Sequence, residues 1–282
     1  MRHCLSVWCV VLQAGVIMES KPLHGTLIVA IRCKEGLVIA ADTRSGNSRR
    51  GFRDGEEKIV RWGGSGVLAF TGITGWSFEE AGHAPREEWF AKDLAMSYLH
   101  DKNPLSVDWK AFAQALTDGS VKRVGPVLPV STEPTDLFGV GVWFPGPDSR
   151  VCFAGTQLRY QKDAVGRRQI SADYEHSCEA FRPALYRAGS PGVVNEILDG
   201  VDSRFDDLRG LPLIRAIREK PLVGDLAVAE ARDLAGVLIR AGYERSGWLG
   251  VNSDIGPSMD CLIIRNDGSV EWLDCDTLVS PN

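Results

Sequence analysis

The chain has 282 residues, 44% of them hydrophobic and 24% charged, with a formal net charge of −5 at pH 7. This composition is ordinary for a globular protein and provides ample material for a core. The mildly acidic balance, without any run of basic residues and interleaved aromatics, argues against a nucleic-acid binder.

The seven cysteines and five histidines are scattered along the chain. They form no CxxC pair, no HxxxH pair and no spacing typical of a metal site. The sequence therefore predicts reduced thiols in a cytoplasmic protein, without a metal or organic cofactor.

The N-terminal segment contains an apolar run, Leu5–Ile17, that resembles a signal peptide. Gln13 interrupts the run, no small-x-small cleavage site follows it, and it is too short to span a membrane. Met18 is an alternative start of the chain. With either start, we expect residues 1–25 to be a prosegment or leader and residues 26–282 to form a single domain.

Two apolar runs, Leu27–Ile31 and Leu37–Ala41, are separated by a short polar turn ending in Gly36. This pattern predicts a β-hairpin whose strands are buried on both faces. Thr26 precedes the first strand and Asp42 follows the second. Because the strands of a hairpin are antiparallel, we expect these two residues to lie close together.

Strand and helix patterns alternate in blocks along the rest of the chain. Further strands are predicted at Lys58–Trp62, Val67–Thr71, Leu137–Phe144, Arg150–Ala154, Gln157–Tyr160, Gln169–Tyr174, Met259–Arg265 and Val270–Leu273. Helices are predicted from Gly75 towards Leu99 with an interruption at Pro85, and at Trp109–Leu116 behind an Asp108 cap, Pro183–Arg187, Val193–Val201 and Leu226–Ala241. Residues 119–135 are predicted to be a loop. This order suggests two packed sheets with helices outside them, as one domain.

The Gly25-Thr26 junction suggests a specific chemistry. If this bond is cut, the Thr26 hydroxyl can act as a nucleophile with its own α-amine as the base. The reaction also needs a cation near the amine, a carboxylate that positions the cation, and a backbone N–H that faces the developing oxyanion. Lys58, Asp42 and Gly72 are the candidates.

Each candidate also has a plainer interpretation. Thr26 alone is an ordinary strand residue, and Asp42 belongs equally well to a surface turn. Lys58 alone is a solvated lysine, and Gly72 is a glycine at the entry of a helix. The combination of residue types and spacings therefore carries the functional interpretation.

The combination resembles the β subunits of proteasomes and their bacterial relatives, which are N-terminal-nucleophile hydrolases. The matching segments are Gly25-Thr26, Ala41-Asp42-Thr43-Arg44, Lys58-Ile59-Val60 and Thr71-Gly72, and their separations fit the family pattern without gaps. The resemblance implies an α+β fold, a four-layer αββα sandwich, and a threonine peptidase that cuts its own Gly-Thr bond.

The resemblance also implies two residues that hold the terminal amine. Ser190 lies in a Gly-Ser-Pro-Gly segment and has a plainer interpretation as a helix N-cap. Asp254 lies before the closing hairpin, although the family's Asp-x-x-Ser-Gly segment is absent, and Asn252 is an alternative there.

By the same spacing, the pocket for the residue before the cut bond would be lined by Ser45, Glu56, Phe70 and Thr74. Phe70 would narrow its base, and Glu56 would place a carboxylate in its wall. The expectation is a preference for a basic or small polar residue over a large aromatic one. The alternative is that Glu56 faces solvent.

The resemblance implies a peptide or unfolded protein as substrate and further copies of the chain in a homo-oligomeric ring. An ATP-dependent unfoldase is a further partner that the resemblance allows. No nucleic acid or membrane partner is expected. Two other functions remain open, a catalytically inactive ring subunit and a non-proteolytic amidohydrolase that acts on small amides.

Overall fold

The computed structural model describes residues 18–23, 26–47, 51–53, 55–80, 87–128, 133–146, 150–163, 165, 167–177, 185–189, 192–219, 225–245, 248 and 255–275. The first strands are β1 (Met18–Leu23), β2 (Leu27–Cys33), β3 (Gly36–Asp42), β4 (Ser45–Asn47), β5 (Gly51–Arg53), β6 (Ile59–Trp62), β7 (Gly66–Gly72), β8 (Gly75–Glu80) and β9 (Glu87–Phe90). The later strands are β10 (Thr135–Pro145), β11 (Val151–Lys162), β12 (Arg168–Ser177), β13 (Leu185–Gly189), β14 (Met259–Arg265) and β15 (Val270–Trp272). The helices are α1 (Ala91–Leu99), α2 (Trp109–Arg123), α3 (Gly192–Leu198), α4 (Asp206–Arg209), α5 (Pro212–Glu219) and α6 (Val228–Arg245).

The first five-stranded sheet has the order β13-β2-β3-β14-β15 and contains the hairpin predicted near the N-terminus. β2 and β3 pair antiparallel, with Ile28 opposite Ala41. Every residue of β3 is buried, because α3 and α6 cover one face of the sheet and the second sheet covers the other. The hairpin and its burial on both faces are confirmed.

The second five-stranded sheet has the order β12-β11-β10-β7-β6. Its outer face packs on α1 and α2 through a core that includes Phe70, Phe112 and Phe138. The predicted cap of α2 is confirmed, since the Asp108 carboxylate accepts a hydrogen bond from the Ala111 N–H at 3.0 Å.

The two sheets lie face to face through a third apolar cluster that includes Ile39, Trp143 and Leu262. The layers therefore follow the sequence helix, sheet, sheet, helix. The protein has the α+β, four-layer αββα sandwich architecture expected from the resemblance. Within the described part of the chain, no helix is both long and apolar enough to cross a membrane.

The helix predicted between Gly75 and Leu99 is wrong at Gly75–Glu80 and Glu87–Phe90, which are strands. Among the described residues of this range, the helix α1 covers Ala91–Leu99. The strand β8 pairs with β1, with Leu23 opposite Gly75. A partner so distant in the chain overrides local helix propensity.

The helix predicted at Pro183–Arg187 is also wrong where the structure describes it. Leu185–Gly189 is the edge strand β13, and it pairs with β2 so that Ala188 lies opposite Ile28. The backbone groups of this segment are satisfied by the sheet, which decides its conformation.

Several boundaries differ from the prediction. α2 continues to Arg123, although residues 119–135 were expected to be a loop. Gly119 therefore lies within the helix, at a position where a side chain would collide with Leu94. β11 is a single strand where two were predicted. The short helices α4 and α5 were not predicted, although Leu213, Ile214 and Ile217 of α5 form one apolar face at helical spacing.

Candidate active site

The structure brings Thr26, Asp42 and Lys58 together at one end of the first sheet. The N–H of Leu27, in the peptide bond that joins Thr26 to Leu27, donates to Asp42 Oδ1 at 2.7 Å. Lys58 Nζ donates to Asp42 Oδ2 at 2.9 Å. All three predicted residues are at most 2% exposed, so the Asp42–Lys58 ion pair is shielded from water.

The Asp42 carboxylate also accepts two further backbone hydrogen bonds. Its Oδ2 accepts from the Gly256 N–H at 2.9 Å and from the Arg44 N–H at 3.2 Å. Four donors surround the two oxygens and fix the orientation of the carboxylate. The Gly256 contact joins the segment before the closing hairpin to the hairpin near the N-terminus.

The backbone of Lys58 is held by the second sheet. Its carbonyl accepts a hydrogen bond from the Phe70 N–H at 3.1 Å, one residue before β6 begins. The side chain then crosses to Asp42 in the first sheet. The ion pair thus links the two sheets at the end where Thr26 lies.

A second carboxylate, Asp260, faces the same region and was not predicted from the sequence. Asp260 lies opposite Ala41 in the β3–β14 pair. Burial raises the pKa of Asp260 and the nearby Glu57 carboxylate adds to this effect, whereas Lys58 opposes it. The only sequence signal is a single acidic residue inside the otherwise apolar start of β14.

Gly72 ends β7 in a conformation that favours glycine, with φ of +81°. A Cβ atom at this position would lie 2.7 Å from the Leu137 carbonyl oxygen, which accepts a hydrogen bond from the Ile73 N–H. The backbone therefore turns tightly here, and only glycine fits.

Gly189 is a second glycine required by the site, and it was not among the predicted site residues. Its φ is +87°. A Cβ atom here would lie 2.0 Å from the Thr26 carbonyl oxygen. The end of β13 therefore packs directly against the backbone of Thr26. The signal that could have identified it is its place in a glycine-rich segment before a helix.

The four residues predicted to line the pocket for the residue before the cut bond lie in strands and in the turns between them. Ser45 begins β4, and Phe70 is buried in the core beneath α1 and α2. Glu56 is half-buried, and its N–H donates to the Thr43 carbonyl at 2.9 Å. Thr74 is half-buried in the turn before β8, rather than at the start of a helix.

Ser190, Asp254 and the alternative Asn252 lie outside the described residues. Their role as supports of the terminal amine remains a prediction. Among the described residues, no group of three or more His, Cys, Asp or Glu side chains is placed to hold a metal ion.

Comparison with known proteins adds a family match and two structural likenesses. The family model described as proteasome subunit matches residues 23–75. None of the curated proteins compared with the chain matches it.

Two similar solved structures are both Anbu from Hyphomicrobium sp. strain MC1. The structure described as an Anbu (Gly-1) mutant has 15% sequence identity and a TM-score of 0.45. The other Anbu structure has 15% identity and a TM-score of 0.39. Each comparison covers 89% of this chain and 88% of the other.

The family model covers the first hairpin, the strand that follows Lys58 and the glycine turn at the end of β7. Thr26, Asp42, Lys58 and Gly72 all fall within it. The resemblance stated from the sequence is therefore confirmed over residues 23–75, where the chain matches the proteasome subunit family.

Proposed function

We propose that the chain is a threonine peptidase of the proteasome type, with Thr26 as its nucleophile after the Gly25–Thr26 bond is cut. The observation that carries this proposal is the Asp42 carboxylate, which holds both the backbone beside Thr26 and the Lys58 ammonium. A buried, oriented ion pair next to a threonine provides the electrostatic environment that this nucleophile needs.

The reaction begins when Thr26 Oγ attacks the carbonyl carbon of a peptide bond, while the hydroxyl proton passes to the free α-amine of Thr26. The carbonyl electrons move onto oxygen, and the Gly72 N–H stabilises the oxyanion. When the oxyanion collapses, the C–N bond breaks and the proton passes to the leaving amine. An ester between Thr26 Oγ and the acyl group remains.

Water completes the cycle. The α-amine accepts a proton from the water, whose oxygen bonds to the acyl carbon. The bond from this carbon to Thr26 Oγ then breaks, Oγ takes up the proton, and the acyl group leaves as a carboxylic acid. Throughout, the positive charge of Lys58 favours the neutral α-amine and the ionised hydroxyl of Thr26. Asp42 fixes the position of the Lys58 ammonium. Ser190 and Asp254 are proposed to hold the α-amine.

Self-cleavage would begin when Thr26 Oγ attacks the Gly25 carbonyl carbon and a water molecule accepts the hydroxyl proton, because the Thr26 nitrogen is still part of the amide bond. The C–N bond then breaks, the nitrogen takes up a proton, and an ester between Gly25 and Thr26 Oγ is left. Hydrolysis of this ester would release residues 1–25 and leave residues 26–282 as the mature domain. The proposed substrates are peptides or unfolded proteins, and the proposed assembly is a ring of identical subunits that an ATP-dependent unfoldase could supply. These parts of the proposal are supported by the match of residues 23–75 to the proteasome subunit family.

A panel of fluorogenic peptides tests the proposed activity. Thr26→Ala should abolish hydrolysis without changing the thermal unfolding temperature of the protein by more than a few degrees. The matched control is Thr117→Ala, which removes a buried threonine hydroxyl bonded to the Ala113 carbonyl in α2. Hydrolysis that survives in purified Thr26→Ala would contradict the proposal, and loss of hydrolysis in Thr117→Ala alone would contradict the assigned location.

A further inference from the structure

The space between the two sheets is not filled at the end beside Thr26. A cavity of about 250 Å³ lies there. The second sheet contributes Thr71, Trp143 and Phe153 to its lining, and the first sheet contributes Ile28, Tyr186 and Ala188. The polar residues Gln157 and Asp173 lie at its edge.

Two pairs of residues in β10 and β11 explain why this cavity exists. Gly141 lies opposite Gly155, and Trp143 lies opposite Phe153. A Cβ atom on Gly141 would lie 2.6 Å from Trp143 Cη2, and one on Gly155 would lie 2.9 Å from Phe153 Cζ. Both rings are therefore folded over glycines along the sheet, instead of reaching across the space between the sheets.

Tyr186 of the first sheet closes one side of the space against these rings. Its ring centroid lies 5.6 Å from that of Trp143 and 5.3 Å from that of Phe153, and the latter two lie 5.2 Å apart. The three rings support one another at ordinary aromatic contact distances. The cavity thus has a preformed aromatic wall.

The cavity adjoins the candidate nucleophile. The position of a Cβ atom on Gly189 is 2.0 Å from the Thr26 carbonyl oxygen and 3.4 Å from Thr71 Cγ2. Thr71 lines the cavity, and its neighbour Gly72 is the proposed oxyanion donor. A substrate whose carbonyl carbon is held at Thr26 therefore reaches the cavity within one or two residues.

The cavity and the pocket expected from the sequence lie on opposite faces of β7. Phe70 faces α1 and α2, whereas the cavity lies on the side of Thr71, between the sheets. Neighbouring residues of a strand point to opposite faces. If the side chain before the cut bond enters the Phe70 side, the part of the substrate after the cut bond is directed towards the cavity.

The size and charge of the cavity define what fits it. Its volume is below the roughly 300–1,000 Å³ of sites that hold a whole small-molecule ligand, so it matches a single side chain. Asp173 is the charged residue of its lining, and Arg159 Nη1 pairs with this carboxylate at 2.9 Å. An aromatic wall with a neutralised carboxylate at its edge favours an uncharged apolar side chain.

We propose that this cavity binds the side chain of the substrate residue immediately after the cut bond and prefers an aromatic or large aliphatic one. The inference rests on the proposed peptidase function. It adds a specificity subsite, formed by Trp143, Phe153, Tyr186 and Ala188, to the pocket expected around Phe70. Burying a large apolar side chain here predicts a preference of roughly tenfold or more for Phe over Gly.

Two measurements test the subsite. The first compares kcat/KM for internally quenched peptides that are identical except for Phe, Leu, Gly or Asp after the cut bond. The second uses saturation-transfer NMR to compare the binding of the dipeptide amides Phe-Ala-NH₂ and Gly-Ala-NH₂ to the same protein. We expect Phe and Leu to be favoured in the first measurement, and the Phe ring to receive saturation in the second.

Ala188→Leu fills the cavity and should remove the preference in both measurements. Hydrolysis of the peptide with Gly after the cut bond should fall less than hydrolysis of the peptide with Phe, because Gly has no side chain to place in the cavity. The matched control is Ala172→Leu, a half-buried alanine of β12 that packs towards α2, and it should keep the preference. Thermal unfolding of both variants checks that they fold.

The outcomes separate this inference from the proposed function. Hydrolysis without discrimination after the cut bond, or discrimination that survives in Ala188→Leu, would overturn the subsite and leave the peptidase intact. Selective binding of Phe-Ala-NH₂ that is lost in Ala188→Leu, without any peptide hydrolysis, would support the cavity as an apolar side-chain site and refute the peptidase. Equal binding of both dipeptide amides would overturn the subsite.

Discussion

The Lys58 ammonium lies 2.9 Å from the Asp42 carboxylate, with the two side chains 2% and 0% exposed. A buried ion pair carries a large desolvation cost, which the Coulombic attraction offsets only when the geometry is good and the remaining lone pairs are bonded. The backbone N–H groups of Leu27, Arg44 and Gly256 supply those bonds. Burying this ion pair costs free energy, and the pair lies beside Thr26. A buried, fully bonded ion pair next to a candidate nucleophile is typical of a functional site.

Lys58→Ala should abolish both maturation and peptide hydrolysis. Removing one partner of a buried ion pair costs about 3–5 kcal/mol, but the three backbone donors still hold Asp42, so we expect the variant to fold. Lys58→Arg should restore little activity, because the bulkier guanidinium does not fit the same space or share a proton near neutral pH.

Intact-mass analysis and peptide hydrolysis measure the effect of the Lys58 variants, and circular dichroism checks their fold. Lys92→Ala is the matched control, since it removes a partly exposed lysine that lies 3.4 Å from Glu57. It should mature and hydrolyse peptides normally. Near-normal turnover by Lys58→Ala would remove Lys58 from the mechanism.

Gly189→Ala should impair activity more than it impairs stability. The residue would retain a left-handed conformation, which costs a non-glycine residue about 1–2 kcal/mol, and its Cβ would displace the Thr26 backbone. Gly63→Ala is the control, because Gly63 also has a positive φ, +59°, but open space around its Cβ position. Gly189→Ala is expected to unfold at a somewhat lower temperature than Gly63→Ala, because of the contact with the Thr26 backbone, and to lose the activity that Gly63→Ala keeps. Equal activity in the two variants would contradict the assigned contact.

Asp260→Asn should stabilise the protein at neutral pH. The pKa of Asp260 in the folded protein is raised above its ordinary value of 3.8, mainly by burial. The unfolded state therefore loses this proton first as the pH rises, so ionised Asp260 costs stability at pH 7 and the cost fades as the pH approaches 3.8. Thermal unfolding from pH 7 down to pH 4 should show a difference that shrinks with acid.

Asp207→Asn is the control for Asp260→Asn, and its expected effect on stability at pH 7 is opposite in sign. A side-chain hydrogen bond from Arg245 lowers the pKa of Asp207. Ionised Asp207 therefore adds stability above its ordinary pKa, and Asp207→Asn should destabilise the protein at pH 7. A lower unfolding temperature for Asp260→Asn than for the wild type at pH 7 would contradict the burial argument.

Glu56→Gln tests the pocket expected from the sequence. Glu56 is half-buried, so its carboxylate should attract a basic side chain more strongly than a fully exposed one would. Cleavage after Arg is expected to be faster than cleavage after Phe, and the substitution should reduce this ratio several-fold. Faster cleavage after Phe that is unchanged in Glu56→Gln would show that the pocket lies elsewhere.

The sequence predicted the parts of the site that depend on local pattern. The hairpin that joins Thr26 to Asp42 follows from two apolar runs and a turn, and the pairing of Asp42 with Lys58 follows from a motif spacing. The contact of Asp42 with Gly256 did not follow, because the two residues are separated by 214 positions and no local pattern connects them.

The two wrongly predicted helices also reflect contacts between residues that are distant in the sequence. The helices expected at Gly75 and at Pro183 are strands where the structure describes them, because β8 finds its partner in β1 and β13 finds its partner in β2. Edge pairing depends on which segments meet in space, and apolar spacing alone does not contain that information. The cavity beside Thr71 was missed for a related reason, since it arises from glycines facing each other across two strands.

The mass of the mature chain shows whether Thr26 becomes the N-terminal residue. If Thr26 is an N-terminal nucleophile, the purified protein should lack every residue before Thr26, whether the chain starts at Met1 or at Met18, and Thr26→Ala should retain its leader. N-terminal sequencing should then read Thr-Leu-Ile-Val-Ala. A protein that hydrolyses peptides at full rate while it still begins at Met1 or Met18 would show that Thr26 is not an N-terminal nucleophile.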